Sequence, residues 1–65
     1  MKVICNDKTM EVDEMTTLPA LLRTLNYRNT VAVFINGKQL LTSQIEGYRI
    51  HENDNIRIVR ILGGG

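Results

Sequence analysis

One cysteine, one histidine, one proline, one phenylalanine and no tryptophan occur in these 65 residues, and each scarcity closes off a class of function. A lone Cys5 forms no internal disulfide, which fits a reducing compartment. One histidine, His51, and one cysteine do not supply a tetrahedral metal site. Net charge is only +1, so there is no basic footprint of the kind nucleic acid requires. Arg49, Arg57 and Arg60 are interleaved with Glu46, Glu52 and Asp54, which reads as a mixed solvated surface. The longest apolar run, "VAVFI" at 31–35, is far too short to cross a bilayer. Apolar alternation starts at Met1 and leaves no room for a signal peptide. A soluble cytoplasmic protein with neither nucleic-acid nor membrane partners is expected.

Catalytic machinery is equally thin. Ser43, His51 and Asp54 are triad residue types, but no nucleophile elbow or oxyanion loop surrounds Ser43. Asp13, Glu14, Glu52 and Asp54 read as turn and loop charges. A chain this short builds one thin core, with no obvious room for a deep enclosed pocket as well. Function is therefore expected on the surface or at an end.

What is present is a clear order of periodicities. "MKVIC" and "TMEV" alternate on either side of Asn6-Asp7-Lys8, which predicts an N-terminal hairpin with Cys5 facing the core. In "TTLPALLRTL", Leu18, Leu21, Leu22 and Leu25 form one helical stripe. Thr16 or Thr17 is placed to cap it, Pro19 falls in its first turn, and Asn26 is a stop. "VAVFI" is a strand, Asn36-Gly37 a hairpin turn and "KQLL" the return. Ser43 and Glu46 have capping-box spacing for a short helical turn ended by Gly47. "IRIVRI" is the last strand. The expected fold is α+β: a sheet of four to five strands with one main helix across one face. Val3, Val33, Ile35, Ile56 and Ile58 would face that helix. Ile4, Phe34, Val59 and Ile61 would lie on the opposite face, where Phe34, Val59 and Ile61 form a candidate docking surface.

The folded domain is expected to span residues 1–62, with 63–65 a flexible tail. "GGG" is no phosphate-binding loop, because no helix follows it. Its reactive group is the carboxylate of Gly65, ionised with a pKa of about 3.5 when free. A carboxylate can attack the α-phosphate of ATP to form an acyl-adenylate, which then accepts a nucleophile. Glycines allow a chain end to thread a narrow channel without side-chain clash.

These residues together resemble the ubiquitin-like β-grasp proteins, and in particular the bacterial sulfur carriers of the ThiS and MoaD type. "FINGKQL" (34–40) is similar to a hairpin of ubiquitin. Asn6-Asp7, "TLPALLRTL" (17–25), "VAVFINGK" (31–38) and "ENDNIRIVRILGGG" (52–65) resemble, in order, segments of the thiamine-biosynthesis carriers. The chain departs from them at Leu41-Thr42, where Pro-Arg is frequent, at Ile45, where an aromatic is frequent, and at Asn53, where a turn glycine is usual. Those departures bear on which partner the surface fits.

The resemblance implies a mechanism. A ubiquitin-activating-type (ThiF-like) adenylyltransferase would use ATP on Gly65. A persulfide sulfur donor would convert the product to a thiocarboxylate, and thiazole synthase (ThiG-like) would take the sulfur. Gly65 would carry the sulfur, while Gly64 and the less critical Gly63 give access. Phe34, Val59 and Ile61 would dock the partner, and the carrier itself would bind no cofactor and be a cosubstrate, not an enzyme. Alternatives are a carrier for molybdopterin synthesis or another pathway, a ubiquitin-like protein modifier, and a docking module with an inert tail.

Overall fold

Residues 1–27 and 30–61 are described by a computed structural model. Its turns show why the elements fall where they do. Strands β1 (Lys2–Cys5) and β2 (Lys8–Glu11) pair antiparallel with Cys5 opposite Lys8, leaving Asn6 and Asp7 to make the turn. Both have positive φ, 49° and 68°, the signature of the type I′ turn whose twist matches a hairpin. Asn36 (52°) and Gly37 (87°) repeat the device between β3 (Val31–Ile35) and β4 (Lys38–Gln39). The return strand is shorter than "KQLL" suggested.

Helix α1 (Leu18–Thr24) begins at Thr17, whose Oγ1 accepts the Ala20 N–H at 3.4 Å. Its end is a Schellman motif: Tyr27 N–H donates to Leu22 O (2.8 Å) and Asn26 N–H to Arg23 O (3.0 Å). Asn26 takes the left-handed conformation this requires, at φ 64°. The second helix, α2 (Thr42–Gly47), starts earlier than expected. Ser43 is not its cap. Leu41 is the N-cap residue, and its backbone N–H donates to Gln44 Oε1 at 2.7 Å. The reciprocal half of a capping box is missing because leucine has no side-chain acceptor.

The last strand, β5 (Asn55–Arg60), enters the middle of the sheet, giving the order β2-β1-β5-β3-β4. It runs antiparallel to β3 and parallel to β1. The sheet is therefore mixed and five-stranded, at the upper bound of the expectation. The period of two puts Val3, Cys5, Val33, Ile35, Ile56 and Ile58 on one face, where they meet Leu18, Leu21 and Leu22 of α1 in a single core. Ile50, which the sequence reading passed over, completes that core from the crossing segment before β5. Burial pushes the Cys5 thiol pKa up, so it serves as a small core residue and not as a thiolate. No helix among the described residues is long and apolar enough to cross a membrane.

Two stability predictions follow from these placements. Leu22→Ala should cost about 2–5 kcal/mol in chemical denaturation, because it opens a cavity beneath α1. Asn26→Ala should cost about 1 kcal/mol by forcing a Cβ-bearing residue without a local polar group into left-handed backbone. Asn26→Gly, measured in the same experiment, should not.

Candidate functional site: the exit of the last strand

Gly63, Gly64 and Gly65 lie outside the described residues, so the site is built from what leads to them. By ladder alternation, Asn55, Arg57, Val59 and Ile61 direct their backbone groups toward β3. Asn36 N–H donates to Asn55 O (2.8 Å), and Ile61 N–H to Thr30 O (3.0 Å). The other side of β5 is covered differently. β1 leaves the sheet after Cys5, and Asn6 continues in its place. Asn6 N–H donates to Ile56 O (2.9 Å), and Asn6 Oδ1 accepts the Ile58 N–H (2.8 Å). Asn6 Nδ2 donates to Ile58 O and to Tyr27 Oη, each at 3.3 Å. The Arg60 guanidinium lies 5.1 Å from the Tyr27 ring centroid, within cation–π range.

The sheet face away from α1 carries Ile4, Ala32, Phe34 and Val59, with Ile61 continuing the alternation. Val59 is 44% and Ile61 52% exposed, while Phe34 is half-buried. The register refines the expected cluster. Phe34 sits opposite Arg57, and Val59 opposite Ala32, so Phe34 and Val59 are diagonal neighbours. Ile61 is one further step toward the strand's end. The three residues form an oblique row, with Arg57 at its side, paired to Asp7 at 3.3 Å. Two more exposed apolar residues, Met15 and Leu41, carry no periodic signal in the sequence because they sit between regular elements.

The three arginines do not gather. Arg57 lies on the open face, Arg60 on the helix face over Tyr27, and Arg49 bridges to Thr17. His51 and Asp54 do come together, Nδ1 to Oδ2 at 3.7 Å, but Ser43 has no hydrogen bond to either among the described residues. That geometry is structural. Asp54 is buried and accepts from Tyr48 Oη (2.7 Å), His51 N–H (2.9 Å) and Asn36 Nδ2 (3.0 Å). Burial alone would raise its pKa. The hydrogen bonds from Tyr48, His51 and Asn36, with the nearby His51 charge, outweigh that and hold it below the ordinary value. Tyr48 is correspondingly pushed up to about 12 by burial and by its bond to that carboxylate.

Against known proteins, a family model described as the ThiS family matches residues 2–65. The solved structure of a thiamine biosynthesis protein (ThiS) from Geobacter metallireducens superposes with a TM-score of 0.83 at 26% identity, covering 100% of both chains. No curated protein sequence matches.

Because the Asp54 pKa is depressed on folding, its contribution to stability is present above the unfolded value of 3.8 and is lost as pH falls through the folded value. Urea denaturation should therefore show stability falling as pH drops to about 4 and below. Asp54→Asn should be less stable at neutral pH, where an amide turns a donor toward Tyr48 or His51, and its acid limb should be shallower.

Proposed function

The chain belongs to the ThiS family, and we propose that this small sulfur carrier works through the carboxylate of Gly65. The observation that carries the reading is the family match through residue 65 on a fold whose central strand ends at Arg60, with only Ile61 and Leu62 before Gly63-Gly64-Gly65 in the sequence. In the first step a Gly65 carboxylate oxygen attacks the α-phosphorus of ATP on an adenylyltransferase of the ubiquitin-activating type. Pyrophosphate leaves, and an acyl-adenylate remains. The terminal sulfur of a persulfide donor then attacks the carbonyl carbon and expels AMP, forming an acyl disulfide. A second thiol attacks the donor's sulfur, becomes the disulfide partner, and releases Gly65 as a thiocarboxylate. Thiazole synthase, in the cytoplasm, takes the sulfur for thiamine biosynthesis.

The physical division of labour supports this reading. The carrier contributes no acid, base or metal to the reaction. It supplies a nucleophilic carboxylate, then a thiocarboxylate, on a stem of glycines that fits a channel closed to side chains. Recognition falls to the folded part, and we assign it to the row Phe34, Val59 and Ile61. An apolar row flanked by Arg57 and Asp7 offers a desolvated centre with a charged rim.

Intact mass after incubation with the adenylyltransferase, ATP and the persulfide donor should show one oxygen replaced by sulfur, and removal of Gly65 should abolish the change. An unaltered mass beside a demonstrably active adenylyltransferase would overturn the reading. A thiocarboxylate that thiazole synthase refuses would redirect the sulfur to another acceptor. Phe34→Asp should keep the thermal midpoint near wild type while weakening titrated binding to the adenylyltransferase by at least about tenfold, the loss expected for a central apolar contact.

A further inference from the structure

β5 outruns its parallel neighbour. β1 ends at Cys5, opposite Ile56, while β5 continues to Arg60. Along that stretch the side of β5 facing away from β3 is served by the Asn6 carboxamide, which bonds both backbone groups of Ile58. The same Nδ2 reaches Tyr27 Oη, and Arg60 stacks over the Tyr27 ring. Side chains from the first hairpin turn, the end of α1 and β5 itself thus converge just before the tail.

The turn at Asn6 does not by itself demand this residue. Glycine or aspartate also tolerates its φ of 49°. Glycine would leave Ile58 without a partner. Aspartate would accept from its N–H but set a carboxylate oxygen against its carbonyl. Only asparagine offers the acceptor and the donor that together imitate a strand's backbone.

We propose that Asn6, Tyr27 and Arg60 are positioning residues that fix the direction in which the chain leaves Ile61, and so the rate at which the Gly65 carboxylate reaches ATP. The proposal rests on the reading that Gly65 is adenylated. No side chain follows Leu62 in the sequence, so the angle at Ile61 is the last that the folded domain sets by side-chain contacts, and it bears on how often the carboxylate lies in line with the α-phosphorus. The clamp stands on the helix side and edge of β5, whereas Phe34 and Val59 lie on the opposite face. Its loss should therefore lower kcat and leave KM unchanged.

The test is ATP–pyrophosphate exchange catalysed by the adenylyltransferase with the full-length carrier. Asn6→Gly keeps the turn and deletes the clamp. Tyr27→Phe keeps the ring beneath Arg60 and deletes the hydroxyl. Asn6→Gly should lower kcat about tenfold at constant KM, with Tyr27→Phe intermediate. Backbone hydrogen exchange at Ile58 and Ile61 should accelerate in both variants while the Ile4 and Leu40 amides, bonded to Asp54 O and Val33 O, stay protected, which separates a local loosening from global unfolding. Wild-type kcat in folded variants, or a rise in KM alone, would overturn the proposal. If the wild-type carrier supports no exchange, adenylation of Gly65 is refuted. The clamp is then judged on hydrogen exchange, and unchanged rates at Ile58 and Ile61 would overturn it.

Discussion

The parallel seam between β1 and β5 is the constraint on which the rest of this structure depends. It joins the first strand to the last with a register of two residue pairs, Ile4 to Asn55 and Cys5 to Ile56. Parallel neighbours cannot be joined by a tight turn, so the chain between them must cross over the sheet. Here the crossing delivers α1, which buries the face the seam creates. The seam is started from outside the strands. Ile4 N–H donates to Asp54 O at 2.9 Å, and Asn53 N–H donates to Lys2 O at 2.7 Å. Asp54 is in turn held by Asn36, Tyr48 and the His51 backbone. A single buried carboxylate therefore ties the β3–β4 turn and the segment after α2 to the residue that precedes β5. No buried side-chain polar atom among the described residues lacks a partner, as a core this thin requires.

Asparagine carries an unusual share of this architecture. Asn6, Asn26, Asn36 and Asn53 all hold positive φ, positions at which glycine would be the default. Glycine would serve the backbone geometry but nothing else. Asn36 makes a turn, accepts the Asn55 N–H at 2.9 Å and donates to Asp54. Asn6 makes a turn and completes a strand ladder. Using asparagine at such positions trades some local strain for side-chain hydrogen bonds, and it also restricts the unfolded chain more than glycine would. For a domain of 65 residues, where a kilocalorie is a sizeable share of net stability, that substitution matters.

Much of this was legible in the sequence, because the signals were periodic. Period two identified the inward faces of β1, β3 and β5, period 3.6 the stripe of α1, and the Asn-Asp and Asn-Gly pairs both hairpin turns. The signals that failed were non-local. Ile50 lies in an irregular segment, so nothing in its neighbourhood marks it as core until the crossing is seen. Ser43 and Glu46 carry capping-box spacing, yet Leu41 and Gln44 took that role because α2 begins where β4 releases the chain. The carboxylate of Asp54 looked like a loop charge. Its three partners come from positions up to 18 residues away, and only the fold brings them together. The apolar row was legible as a face but not as a shape: alternation assigned Phe34, Val59 and Ile61 to one side, while the register with β3 set them obliquely.

A carrier must satisfy two demands that a single surface cannot meet. On the proposed mechanism its reactive end enters several different active sites in turn, which calls for an end without side chains. It must also be admitted only by the right enzymes, which requires features. Placing the C-terminal strand at the centre of the sheet answers both. The strand is gripped by β3 on one side and by β1 and Asn6 on the other, so its direction is set by the whole domain. The same strand carries Val59 and Ile61 beside Phe34, the row proposed for recognition. On the proposed mechanism recognition and delivery are rigidly related up to Ile61, and interaction energy gained on the face would act on the position of the carboxylate. A docking face elsewhere on the domain would need intervening structure to transmit that position, and 65 residues leave little material from which to build it.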